Sequence, residues 1–148
     1  MSKVPTIRDV MTKNPITIDL HDTASAAEKI MNAKGIHHLP VVDGKKVCGL
    51  ISDRDISIAR RAYREKPFDG KVLVKEICLE APYTCEESLA LDAVAGRMSA
   101  KKAEAVVIVR DGIPVGIFTT NDACRLLTRA LRDELPDQPG FWQRLLGA

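Results

Sequence analysis

Two short stretches of this chain place a hydroxyl and a carboxylate three residues apart, where an apolar run gives way to a helical one. The first reads Gly49-Leu50-Ile51-Ser52-Asp53-Arg54-Asp55. Sixty-seven positions on, the chain reads Gly116-Ile117-Phe118-Thr119-Thr120-Asn121-Asp122. A strand that stops where a helix starts leaves free backbone N–H groups, which together with the helix dipole favour an anion such as phosphate. Ser52 and Thr119 add a hydroxyl donor at that point, and Asp55 and Asp122, acceptor-only when ionised, can take both hydroxyls of a ribose. The chemistry this suggests is nucleotide binding. The same spacing is also the signature of a capping box that closes a helix N-terminus. Taken alone, each copy reads as a cap before it reads as a ligand site, although aspartate reaches back less far than the preferred glutamate or glutamine.

The elements that must position these junctions are repeated with them. In the first copy, Lys13-Asn14-Pro15 signals a turn before the β-prone run Ile16-Thr17-Ile18. Asp22-Thr23 can cap a helix in which Ala24, Ala27 and Met31 share one face, and Gly35 stops it. Residues 38–42 and 47–51 flank Asp43-Gly44 as a hairpin, with Pro40 marking an edge or an irregular place in the ladder. A helix over about 53–64 closes the unit, with Ile56, Ala59, Ala62 and Tyr63 on one side. Shifted by sixty-seven, Pro82-Tyr83-Thr84 falls under Pro15-Ile16-Thr17, Val94 and Met98 under Ala27 and Met31, and Asp111-Gly112 beside Asp43-Gly44. A unit that cannot bury its own sheet face needs its twin. The expectation is therefore an α/β (α+β) fold of two β-α-β-β-α halves, packed sheet to sheet about a pseudo-twofold axis.

Composition limits the functions open to such a chain. With 148 residues, 45% of them hydrophobic, the chain is expected to fold as a globule. The net charge of +2, from 22 basic and 20 acidic residues, provides no broad field for nucleic acid or an anionic membrane, so an anion site must be local. Cys48, Cys78, Cys85 and Cys124 show no Cys-x-x-Cys pair and no histidine in zinc-ligand spacing, and no metal site is expected. No apolar run approaches the roughly 18 residues of a membrane span, and the expected location is cytoplasmic, with reduced thiols. The sequence shows no nucleophile beside a general base, no catalytic metal cluster and no Walker-type loop, so an enzyme is not expected. Ala123, Leu127, Ala130 and Leu131 make the last helix more apolar than a surface helix requires, so a second subunit is expected against it. The tail beyond Pro136 holds the single tryptophan, Trp142.

With both copies in view, the chain closely resembles a tandem pair of cystathionine-β-synthase-type (CBS) domains, the Bateman module, over roughly 10–131. The two seven-residue junctions in register, each after an Asp-Gly hairpin, carry the resemblance. It implies a first CBS repeat at 1–66 (core 10–64), a linker at 67–76, a second repeat at 77–134 and a tail at 135–148. It further implies a stand-alone regulatory module, without catalytic cofactor, that binds AMP, ADP, ATP or a related adenosine compound such as S-adenosylmethionine in the cleft between repeats. Partners implied are that small molecule, a second copy in a homodimer and a regulated protein of unknown identity; neither nucleic acid nor membrane insertion is expected. Carried over position by position, Asp55 and Asp122 would hold ribose, and Ser52 and Thr119 would contact phosphate or ribose oxygens. The base pocket would be lined by Thr17, Ile18, His38, Leu39 and Pro40, with Thr84, Cys85, Ala105, Val106 and Val107. Arg54 gives the first site a cation where the second has Asn121, which favours a charged nucleotide at the first. Two other readings stay open: a homodimeric interaction module with empty clefts, and a nucleic-acid-binding member using Arg60, Arg61 and Arg64.

Overall fold

The computed structural model describes residues 4–63, 68 and 70–133. They fall in two compact units that divide between Phe118 and Thr119. In chain order the first copy supplies α1 (Ile7–Val10), β1 (Thr12–Lys13), β2 (Ile18–Asp19), α2 (Ala24–Lys34), β3 (His38–Asp43), β4 (Lys46–Ser52) and α3 (Asp53–Ala62). The second supplies α4 (Val74–Ile77), β5 (Leu79–Glu80), β6 (Thr84–Glu86), α5 (Leu91–Lys101), β7 (Ala105–Arg110), β8 (Ile113–Thr119) and α6 (Thr120–Asp133). The tail at 135–148 and Arg64 lie outside the described residues.

Local chemistry explains most of these boundaries. The Thr23 hydroxyl accepts the Ala26 N–H at 3.1 Å to start α2, and Gly35, left-handed at φ 63°, ends it. Ala24, Ala27 and Met31 bury the face between. The β7–β8 turn holds Asp111 at φ 51° and Gly112 at φ 77°, the two positive angles that a tight hairpin twisting with its strands requires. Pro40 does not lie at an edge, since β3 is an inner strand of the sheet ordered β2-β3-β4-β5, but the β3–β4 register shifts just after it, between Val41 and Val42, so the other expectation, an irregular place in the ladder, is met. It is tolerated there because β2 is only two residues long and pairs with Val41 and Val42, past the missing N–H.

The two four-stranded sheets each borrow a strand. β1 of the first copy pairs antiparallel with β8 of the second, completing the order β1-β8-β7-β6, while β5 of the second copy pairs with β4 of the first. Reciprocal backbone bonds lock the exchange. Ile7 donates to the Leu89 carbonyl and Leu91 to that of Pro5, both at 2.8 Å; Ala24 donates to Val72 and Val74 to Asp22, again at 2.8 Å. Part of the span expected as a linker at 67–76 packs against the first copy. Phe68, Val72 and Val74 are buried in the first copy's core with Ile18, Met31, Leu39 and Ile56. Val72 and Val74 reach it because the residue between them bridges to Thr23. Where the sheets meet, Leu50 of β4 packs with Ala105, Val107 and Val109 of β7.

The exchange also accounts for the glycine that opens each junction. A Cβ at Gly49 would lie 3.0 Å from the Cys78 sulfur and 3.0 Å from the Leu79 carbonyl oxygen, and one at Gly116 would lie 2.3 Å from the Met11 sulfur. Cys78 and Met11 are equivalent positions of the two borrowed arms. Gly116→Ala should therefore destabilise the protein by about 1–3 kcal/mol through overpacking. In the double variant with Met11→Ala the two costs should fall short of their sum by at least about 0.5 kcal/mol, which denaturant unfolding of the four proteins checks.

Candidate functional site

At the first junction β4 runs directly into α3, and both side chains of the motif are engaged there. The Ser52 hydroxyl accepts the Asp55 N–H at 3.1 Å, and Asp55 Oδ2 accepts the Ser52 N–H at 2.8 Å. The pair is a capping box, so the cap reading holds in full for this copy. In the second unit Thr119 and Asp122 repeat it, with the Thr119 N–H to Asp122 Oδ2 at 2.8 Å and the Asp122 N–H to the Thr119 hydroxyl at 3.3 Å. Capping uses only one carboxylate oxygen of Asp55. Among the described residues, Asp55 Oδ1 has no hydrogen-bond partner, and the Ser52 hydroxyl donates its proton to none.

Ser52 and Asp55 also form part of the wall of a pocket of about 860 Å³. Six of the residues singled out in the sequence come together on this wall: His38, Ser52, Arg54 and Asp55 from the first copy, with Thr84 and Ala105 from the second. The borrowed strand β5 makes this possible, because it carries Leu79 and the following Ala81-Pro82-Tyr83 alongside β4, where Leu50 completes an apolar floor. Seven other candidates are elsewhere, among them Val106, which is fully buried. Ile18, Leu39, Pro40, Cys85 and Val107 are buried, and burial pushes the Cys85 thiol up to about 11; Thr17 is half-buried off the wall. Thr119, Asn121 and Asp122 belong to the second unit.

Several wall residues carry no motif. Arg97, Lys101 and Lys102 bring three cations from the end of α5, and Glu104 brings a carboxylate. Lys102 holds a left-handed backbone at φ 54° where the first copy has Gly35, at a cost of about 1 kcal/mol for a residue with a Cβ. Tyr83 lies under Lys101, whose ammonium is 5.8 Å from the ring centre. The Tyr83 hydroxyl is buried and has no partner at hydrogen-bonding geometry among the described residues. Burial raises its pKa above the ordinary value, outweighing the opposing pull of the Arg97 guanidinium. The one sequence signal for Glu104 is that it stands sixty-seven positions after His37, a carboxylate where the other copy has an imidazole.

Arg54, assigned in the sequence to a phosphate, already has a carboxylate. Its Nη1 donates to Glu104 Oε1 at 2.5 Å, and Glu104 Oε2 lies 3.8 Å from His38 Nε2. His37 stands just before β3 and is exposed, its Nδ1 2.7 Å from Asp53 Oδ2, whereas His38 opens β3 and is largely buried on the pocket wall. Arg60 is held between Glu28 and the face of Phe68, which ties it into the fold.

A CBS-domain family model matches residues 7–61 and 74–129. The chain belongs to the CBS domain family. Each matched segment begins at a borrowed arm and ends in the helix after the junction. The solved CBS domain pair of protein MJ0100, in complex with 5'-methylthioadenosine and S-adenosyl-L-methionine, is 31% identical; the match covers 86% of this chain and 98% of that one, with a TM-score of 0.75. A putative acetoin utilization protein of Vibrio cholerae superposes with a TM-score of 0.80 at 26% identity, over 88% and 97% of the two chains. An L-aspartate semialdehyde sulfurtransferase of Methanocaldococcus jannaschii is 32% identical over 84% of this chain. The CBS pair spans about a quarter of the length of that enzyme, 24%. No helix among the described residues is long and apolar enough to cross a membrane.

His38 makes the pocket's pH behaviour predictable. Burial lowers its pKa below the ordinary 6.5, outweighing the opposing pull of Glu104. The unfolded chain then binds more protons, so the contribution from His38 is complete above the ordinary value and is lost as pH falls from there toward the folded pKa. On acidification from about pH 7.5 to about pH 5.5, the wild type should lose more melting temperature than His38→Gln; parallel thermal melts check it.

Proposed function

We propose that this CBS domain pair is a non-enzymatic regulatory module that binds an adenosine compound in the pocket shared by its two copies. The observation that carries this reading is that Ser52 and Asp55 line one hollow together with Thr84 and Ala105, each pair supplied by a different repeat. On this reading Asp55 Oδ1 accepts ribose hydroxyls, and the Ser52 hydroxyl proton and the N-terminal N–H groups of α3 meet an anionic or polar 5' substituent. Leu50, Leu79, Ala103 and Ala105 offer a purine an apolar surface. The adenosine ligands named for the MJ0100 pair support the class of ligand. AMP, ADP, ATP and S-adenosylmethionine are the members to try first.

A ligand lodged between repeats shifts their arrangement only by as much as it prefers one arrangement over another. Contacts contributed by both copies give it that preference, and a regulated protein or a second copy of the chain would read the change. The exposed Leu127 and Leu131 of α6 favour a second copy as one such reader.

Titration calorimetry with these four compounds should show binding that Asp55→Asn weakens about tenfold, since the amide keeps one acceptor for the cap but loses the charge that holds the ribose hydroxyls. Absence of heat with every adenosine compound would overturn the reading. Ser52→Ala separates it from an empty, interaction-only module. Loss of a cap lowers the melting temperature equally with and without ligand, whereas loss of a site shrinks the ligand-induced rise.

A further inference from the structure

The pocket contains its own anion. Glu104 reaches from the loop between α5 and β7 to the first turn of α3, where its two oxygens are divided between Arg54 and His38. Arg54 is the pocket cation nearest in sequence to Ser52 and Asp55, and Glu104 neutralises it. Both partners are open to solvent, Arg54 at 69% and Glu104 at 46% of the side chain. A pair this exposed is worth little as a clamp, on the order of 0–1 kcal/mol, so it gives way readily. Its charge does not go away. Any anionic group that reaches Arg54 must either displace the carboxylate or sit beside it, and each further negative charge meets the same repulsion.

Resting on the adenosine reading, we propose that Glu104 offsets one of the pocket's four cations, Arg54, Arg97, Lys101 and Lys102, and so lowers the affinity for di- and triphosphates relative to adenosine compounds of low charge. Glu104 is on this account a specificity-determining residue that acts by competing for Arg54. A neutral nucleoside leaves the Arg54–Glu104 pair in place, and a polyphosphate must break it. The pairing joins residues fifty positions apart, one from each copy. Changing either residue alters the charge of the site without touching Ser52, Asp55 or the apolar floor.

Calorimetric titration of adenosine, AMP, ADP, ATP and inorganic tripolyphosphate into the wild type, Glu104→Gln, Arg54→Gln and the double variant tests the proposal, with thermal melts to show that all four fold. Glu104→Gln should raise the ATP-to-adenosine affinity ratio about tenfold. Arg54→Gln should lower it, and the double variant should return it to near the wild-type value. The gain should shrink when salt is raised from about 0.05 M to about 0.5 M. Adenosine and ATP binding in an unchanged ratio across all four proteins overturns the proposal and leaves the adenosine reading standing. If no adenosine compound binds any of them but tripolyphosphate binds Glu104→Gln more tightly than the wild type, the adenosine reading fails and the charge gate holds. If nothing binds to any of the four proteins, both are overturned.

Discussion

The structure depends on the close approach of each borrowed arm to the strand that receives it. At Gly49 and Gly116 the arm passes within the space a methyl group would fill. That proximity lets β5 and β1 complete the two sheets, with Phe118 and Ile51 fully buried, and brings the second copy's Tyr83 and Thr84 to the same pocket as the first copy's Ser52. The pocket is thus a by-product of how the sheets are finished. A fold in which each copy kept its own arm would not bring these residues together in this way.

The capping boxes and the pocket share residues without conflict because a carboxylate has two oxygens. Oδ2 of Asp55 fixes the start of α3, and the same bond fixes where Oδ1 points. A side chain locked by its own backbone gives up little rotamer freedom when a ligand arrives, which is the physical advantage of preorganisation. The cap and the ligand site that compete as explanations of Ser-x-x-Asp in the sequence are compatible in space.

What was legible in the sequence was whatever is local or repeated. Thr23 and Gly35 announce the ends of α2, Asp111-Gly112 announces a hairpin, and the sixty-seven-residue shift announces two equivalent halves. The exchange was not legible, since β1 and β5 are two-residue strands, Thr12–Lys13 and Leu79–Glu80, with no room for a period-two pattern. Their partners are fixed by tertiary packing alone. Pro40 signalled an edge or an irregular place in the ladder, and only the second was right, because a missing N–H is a local fact, while the length of the neighbouring strand is not. Arg54 could be read as a phosphate-side cation or as an exposed first-turn residue, and it is exposed in the first turn of α3; the carboxylate it pairs with lies fifty positions away, and no spacing rule reaches that far.

The borrowed arms bear on how such a chain arises from a single copy. One copy alone would present β4 with a bare edge and an arm with nothing to receive it, and two such copies could satisfy each other only by meeting in solution. Joining them in one polypeptide turns that encounter into an intramolecular event at an effective concentration on the order of millimolar. Carrying both copies on one chain makes permanent an assembly that two separate copies would have to form by dimerisation.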